Sequence, residues 1–273
     1  MSKQDYFDNE AISRGDLLKF KESSKKGAFK MKAGNEKADT DDMNFGRAFH
    51  SYMELGVDCQ DEDVFVIDES ERPEPTKDYR TKVNKEWKED MKAIAMDYDS
   101  IVTVEQWKQI VQMATSIHRT EFYKKAFNKV GVVEFEREFY TTINGTKYKC
   151  ITDVAIEYED RIIIIDWKTT KNSLDVDNLY TVKKDVYAWD LHVQNVHYKK
   201  VVKATTKKEV IFCFMFVEKD APYEALPLVF GEGSDFDVAG EMIWNRCNAN
   251  FLEYASGKQI SIAEKLNNGI LVL

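Results

Sequence analysis

Residues 161–168 read RIIIIDWK, four isoleucines running into Asp166, Trp167 and Lys168. In an extended chain Asp166 and Lys168 share one face, because side chains alternate with a period of two. The preceding strand-like run, TKYKCITDVAIEY, carries Asp153. If Glu159-Asp160 is the centre of the intervening turn, Tyr158 faces Arg161 and Asp153 falls opposite Asp166. Such cross-strand partners hold their Cβ atoms about 4.5–5.5 Å apart. Asn144-Gly145 is the strongest short hairpin signal, and a turn there puts Glu136 opposite Asp153, with Glu134 and Glu138 flanking it. Three strands therefore project acids onto one patch.

Opposed like charges are destabilising, and carboxylates at the end of an isoleucine strand are costly to desolvate. A hard divalent cation answers both costs. Mg²⁺ takes oxygen ligands from one or two carboxylates and keeps its other positions for water or phosphate. Lys168 would then position an attacking water or steady charge developing on phosphorus. The plainer reading is an Asp166–Lys168 ion pair at a strand end with Asp153 an incidental acid; the hairpin pairing and the buried strand weigh against it.

The elements that must position these groups follow from pattern. The run VVEFEREFYTTI precedes the Asn144-Gly145 turn, so residues 132–170 read as three consecutive strands. Upstream, an acidic stretch after Asp58 reads as a solvated loop. Two helices follow, one over about 79–94 and one opening on the capping box Thr103 to Gln106, with Val104, Trp107, Val111, Ala114 and Ile117 as its apolar stripe. Downstream come a helix over about 177–202, strands at 209–217 and 224–230, and a final helix stopped by Gly257. The fold class is α/β (α+β): a central mixed sheet with a three-strand meander, flanked by helices. A single domain over 1–273 is expected, with a helical N-terminal portion to about 130 and a catalytic sheet core over about 131–230.

The 273 residues, 43% of them apolar, can bury a substantial core. The four cysteines, at 59, 150, 213 and 247, form no CxxC pair and no cluster, and reduced thiols are the expectation. No apolar run is long enough to span a bilayer and MSKQDYFDNE lacks the regions of a secretion signal, which points to the cytoplasm. A net charge of -9 argues against a protein that coats nucleic acid nonspecifically, so a polyanion must meet a local basic patch. One candidate is the run Lys199, Lys200, Lys203, Lys207 and Lys208.

Asp153 and Asp166-Trp167-Lys168 together resemble the motif of the PD-(D/E)XK nuclease superfamily. GRAFHSYMEL at 46–55, IIDWKTT at 164–170, QNVHY at 194–198 and FMFVEKDAPYEALPLVF at 214–230 resemble, in that order, segments of its RecB-type branch, especially phage and prophage exonucleases of the exodeoxyribonuclease VIII (RecE) type. The likeness spans roughly 11–257.

The resemblance implies a PD-(D/E)XK core, a Mg²⁺ or Mn²⁺ site and hydrolysis of linear double-stranded DNA from its ends, 5′ to 3′, in phage-type recombination. A single-strand annealing protein and a homo-oligomeric ring are implied as partners, with no membrane. By resemblance His50 joins Asp153, Asp166 and Trp167 in the metal set; which upstream acid helps is open, and the strand pairing favours Glu136 as a possible additional acid. Gln194 and Tyr198, four apart on one helix face, and Thr169 would line the substrate groove or, for the helix pair, the edge of the metal site. Gly15 stands where the branch usually has Ser, which puts a hydroxyl contact there in doubt. Related nucleases carry an iron-sulfur cluster on clustered cysteines; the spacing here predicts none. An endonuclease or single-strand nuclease of the same fold, and a noncatalytic DNA-end-binding protein, remain alternatives.

Overall fold

In the computed structural model the described residues are 5–6, 9–33, 40–74, 78, 80–128, 130–175, 179–262 and 264. Before the meander lie the helices α1 (Arg14–Lys19), α2 (Ser24–Ala33), α3 (Asp41–Leu55), α4 (Cys59–Glu62), α5 (Lys82–Ile94), α6 (Val104–Arg119) and α7 (Glu121–Ala126), with strands β1 (Val64–Ile67) and β2 (Ser100–Thr103). The meander is β3 (Val132–Ile143), β4 (Thr146–Glu157) and β5 (Arg161–Thr170). After it come α8 (Tyr180–Ala188), α9 (Leu191–Thr206), β6 (Glu209–Glu218), β7 (Ala225–Val229) and α10 (Asp235–Ala255).

The sheet order is β3-β4-β5-β6-β7, and only β5 and β6 run parallel. That pairing needs a crossover, which α8 and α9 supply. The isoleucines of β5 alternate: Ile162 and Ile164 enter one core, while Ile165 and Trp167 enter the other. On β6, Phe212, Phe214 and Phe216 face the first core and Met215 and Val217 the second, as expected of a strand covered on both sides. Each fully buried Phe contributes about 1.5–3 kcal/mol. Residues of α8, α9 and α10 fill the first core and residues of α3, α6 and α7 the second, making a helix–sheet–helix sandwich.

Three expectations need correction. The helix expected over 177–202 is two helices, since the chain turns at Trp189-Asp190, where Asp190 takes a left-handed conformation with φ of 52°. Its expected start at Asp177, and Tyr79 at the start of the earlier helix, lie outside the described residues. The acidic segment is not all loop: α4 and β1 form within it, and β1 pairs in parallel with β2. The portion before residue 130 is therefore helical with a small sheet. The capping box of Thr103 and Gln106 is present at the start of α6.

Candidate active site

Both turns fall where the sequence puts them. Tyr158 N–H donates to Arg161 O at 2.9 Å, and Val154 lies opposite Ile165, the pair next to Asp153 and Asp166. Pairing of β4 with β5 stops there, although β5 runs on to Thr170. Instead of continuing the ladder, Asp153 turns its carboxylate onto the next strand and accepts the Trp167 N–H at 2.8 Å.

A second break coincides with this one. Across β3 and β4, Phe139 and Cys150 are partners in one core, whereas Phe135 and Val154 are partners in the other. Each is four residues from its counterpart and would share its face in a regular strand. The faces therefore switch between them, at Glu136, whose φ is +46° and whose pairing with Asp153 is missing from the ladder. Such local irregularities in paired strands re-aim side chains beside functional sites.

Asp166 is 3% exposed at the end of the isoleucine run. Gln194 on α9 donates its amide to Oδ1, and Lys168 abuts Oδ2 as an ion pair. That Oδ2 is buried and has no hydrogen bond of ordinary geometry. From the opposite helical layer, His50 on α3 brings Nδ1 to 3.5 Å from Asp153 Oδ2. Burial raises the Asp166 carboxyl, and repulsion from Asp153 adds to it, outweighing Lys168. Burial also works to raise Asp153, but His50, Lys168 and the Trp167 N–H together hold it below the usual value. Burial disfavours the charged ring of His50, yet Asp153 and then Asp166 outweigh it and raise its pKa. The pKa values of these two neighbouring carboxyls are thus displaced in opposite directions.

The structure brings Asp153, Asp166, Lys168 and His50 together. Trp167 is 2% exposed with its indole in the core, so only its backbone faces this region. Gln194, at 4% exposed, meets the edge of the carboxylate site instead of an open groove. Tyr198 packs edge-on against Phe212, and burial, reinforced by charges that include Asp166 and Asp153, raises its hydroxyl pKa strongly. Thr169 lines a separate groove beyond Lys168. Glu136 lines a cavity of about 690 Å³ together with His50, while Glu134 pairs with Arg137 and Glu138 accepts from Tyr140. In the basic run, Lys200 pairs with Glu241 and Lys208 with Glu157. The sequence reading missed the other lining of that cavity, including Arg47, Glu54, Tyr98 and Asp99. Arg47 and Glu54 sit within GRAFHSYMEL and could have been found there; Tyr98 and Asp99 arrive from another segment with no local signal.

The sequence profile of the family described as "PDDEXK-like domain of unknown function (DUF3799)" matches residues 13–236. The chain belongs to this family. A solved structure described as "Putative exonuclease" from Eubacterium rectale shares the fold of this PDDEXK-like chain. At 13% identity it covers 95% of this chain and 88% of its own, with a TM-score of 0.62. A second, SSO0001, has a TM-score of 0.30 at 15% identity, covering 77% and 84%, and supports no comparison of fold. No curated protein matches the sequence. The architecture is that of the PD-(D/E)XK nuclease superfamily, with Asp153 on β4 and Asp166-Trp167-Lys168 on the central strand β5.

Among the described residues no group of three or more His, Cys, Asp and Glu side chains stands ready to hold a metal ion. The donor chemistry nevertheless fits a hard divalent ion. Two carboxylates converge, the buried Asp166 Oδ2 meeting only the Lys168 ammonium, and an imidazole adjoins them. The four cysteines are buried free thiols, with Cys150 and Cys247 in the first core and Cys59 in the second. Among the described residues no helix is long and apolar enough to cross a membrane.

Proposed function

We propose that the chain is a Mg²⁺- or Mn²⁺-dependent deoxyribonuclease that hydrolyses phosphodiesters of linear double-stranded DNA from its ends, 5′ to 3′, in phage-type recombination. The observation that carries this reading is the convergence of Asp153, Asp166 and Lys168 where β4 parts from β5. Asp153, Asp166 and the backbone of Trp167 would hold the ion, with His50 completing the set and Glu136 available from the neighbouring cavity. When bound, the ion supplies positive charge to phosphate oxygens and acidifies water. Lys168 then orients the water that attacks phosphorus. Gln194 fixes the rotamer of Asp166, Tyr198 closes the apolar side of the site, and Thr169 donates to the strand. The exonuclease description of the Eubacterium rectale structure supports the choice of reaction. A 5′-to-3′ exonuclease leaves 3′ single strands, which an annealing protein would take up, and a ring of subunits would keep the enzyme on its substrate.

The test is digestion of linear, nicked, circular and single-stranded DNA labelled at its ends, with magnesium, manganese or chelator. Release of label from the 5′ ends of linear duplex, dependent on metal, is expected. Cutting of circles would make it an endonuclease of the same fold. The direct Lys168–Asp166 pairing, which occupies a carboxylate oxygen the ion would need, favours a second reading, a noncatalytic binder of DNA ends. Retained DNA binding with no cutting in either metal would select it.

A further inference from the structure

Beyond Lys168, the end of β5 opens into a groove of about 450 Å³ that the hydrolytic scheme leaves largely unused. Its lining includes Asp42, Thr169, Lys171, Asn172, Trp189 and Lys219. Lys171 and Lys219 both reach the Asp42 carboxylate, at 3.1 and 3.0 Å. Lys219 is held in place: its side chain is 14% exposed, its ammonium lies 4.9 Å from the Phe45 ring centroid, and its backbone N–H donates to Thr170 O at 2.8 Å. Asp42 itself is open to solvent, and hydrogen bonds from Lys219 and Lys171 hold its carboxyl below the usual value. Two ammoniums thus converge on two anionic oxygens at the mouth of a groove, an arrangement a phosphodiester can take over.

Trp189 supplies the second half of the site. It is 43% exposed and stands on the corner between α8 and α9, where Asp190 adopts φ of 52°. Taken singly, a half-exposed indole and a left-handed aspartate are both ordinary. The corner is nonetheless pinned, by Lys21 to Asp190 at 2.8 Å and by the Arg14 guanidinium to Trp189 O. A partly exposed indole on a pinned backbone corner, beside paired lysines, has the composition of a single-strand binding groove, in which cations follow the backbone and aromatic rings stack on unpaired bases. Lys171 follows Lys168 by three residues, so the groove opens about 10 Å along the chain from the carboxylates.

We propose that this groove is a subsite for a single-stranded stretch of the DNA substrate. One phosphodiester displaces Asp42 from between Lys171 and Lys219, and an adjoining unstacked base lies on Trp189. The proposal rests on the nuclease reading and extends it by assigning the path of the strand past Lys168. Asp42 acts as an internal competitor that keeps the lysines together until nucleic acid arrives.

Anisotropy of a short fluorescein-labelled single-stranded oligonucleotide tests this with the full chain in chelator, where nothing is cut. Trp189→Ala should bind about tenfold more weakly, with most of the affinity restored in Trp189→Phe. The double variant Lys171→Gln with Lys219→Gln should also weaken binding and flatten its salt dependence, by about 0.7 in the log–log slope for one lost phosphate contact. Asp42→Asn should tighten binding severalfold. Wild-type affinity in both the Trp189→Ala and double lysine variants, or no binding by wild type, overturns the subsite. If wild type cuts DNA with magnesium and these variants bind and cut as it does, the subsite falls while the nuclease reading stands. If nothing is cut yet these variants lose binding as expected, the nuclease reading falls and the nucleic-acid subsite stands.

Discussion

Gln194 on α9 donates its amide to Asp166 Oδ1 on β5 across 28 positions of sequence. The other oxygen is thereby left facing Lys168. A helix of the first core thus sets the orientation of the carboxylate at the strand end.

Removing that donor should cost activity more than stability. Gln194→Leu keeps the side-chain bulk and frees Asp166 to rotate. Partners that orient ligands are worth about 10- to 100-fold in metal affinity or activity. Cleavage against magnesium concentration should show a higher metal requirement, with an unchanged circular dichroism spectrum.

His50 acts on the other carboxylate. His50→Ala removes the cationic neighbour that helps hold Asp153 low, so the Asp153 pKa should rise. The acidic limb of the cleavage pH profile should move to higher pH, and half-saturation by metal should need about tenfold more ion.

Gly240 on α10 sits where a Cβ would come within 2.4 Å of the His192 carbonyl oxygen on α9. Backbone is the obstacle, so α10 must move. Gly240→Ala should lose about 1–3 kcal/mol in urea unfolding, as overpacking does. It should also lower cleavage, since α9 carries Gln194.

His197 is buried between Lys149 O, at 3.0 Å from Nε2, and the Trp244 indole N–H, which donates to Nδ1 at 3.2 Å. That pattern holds the ring neutral, and burial lowers its pKa from 6.5 to about 4. Between those values the unfolded chain binds a proton that the folded chain does not. The stability contribution is therefore complete above pH 6.5 and falls away as the pH drops towards 4, by about 3 kcal/mol. Thermal unfolding should show this slope, reduced in His197→Gln.

The hairpins were legible because each turn is short and marked, so counting from Asn144-Gly145 and Glu159-Asp160 gives the register that β3, β4 and β5 adopt. The same counting missed the face switch at Glu136, since nothing in EFEREF signals a left-handed residue. It also missed the corner at Trp189-Asp190, which lacks the glycine or proline that usually marks a break. Gln194 was named by resemblance, not by its spacing, and its partner depends on how α9 crosses the sheet. The pairing of β1 with β2 was out of reach for another reason: four-residue strands far apart in sequence carry too little periodicity.

The central claim is that Asp153 and Asp166 jointly bind a divalent ion, and Mn²⁺ binding measured by electron paramagnetic resonance without DNA tests it most directly. Wild type should bind Mn²⁺, and Asp153→Asn and Asp166→Asn should each lose that binding while remaining folded. Equal binding by wild type and both variants, or none by wild type, would contradict it.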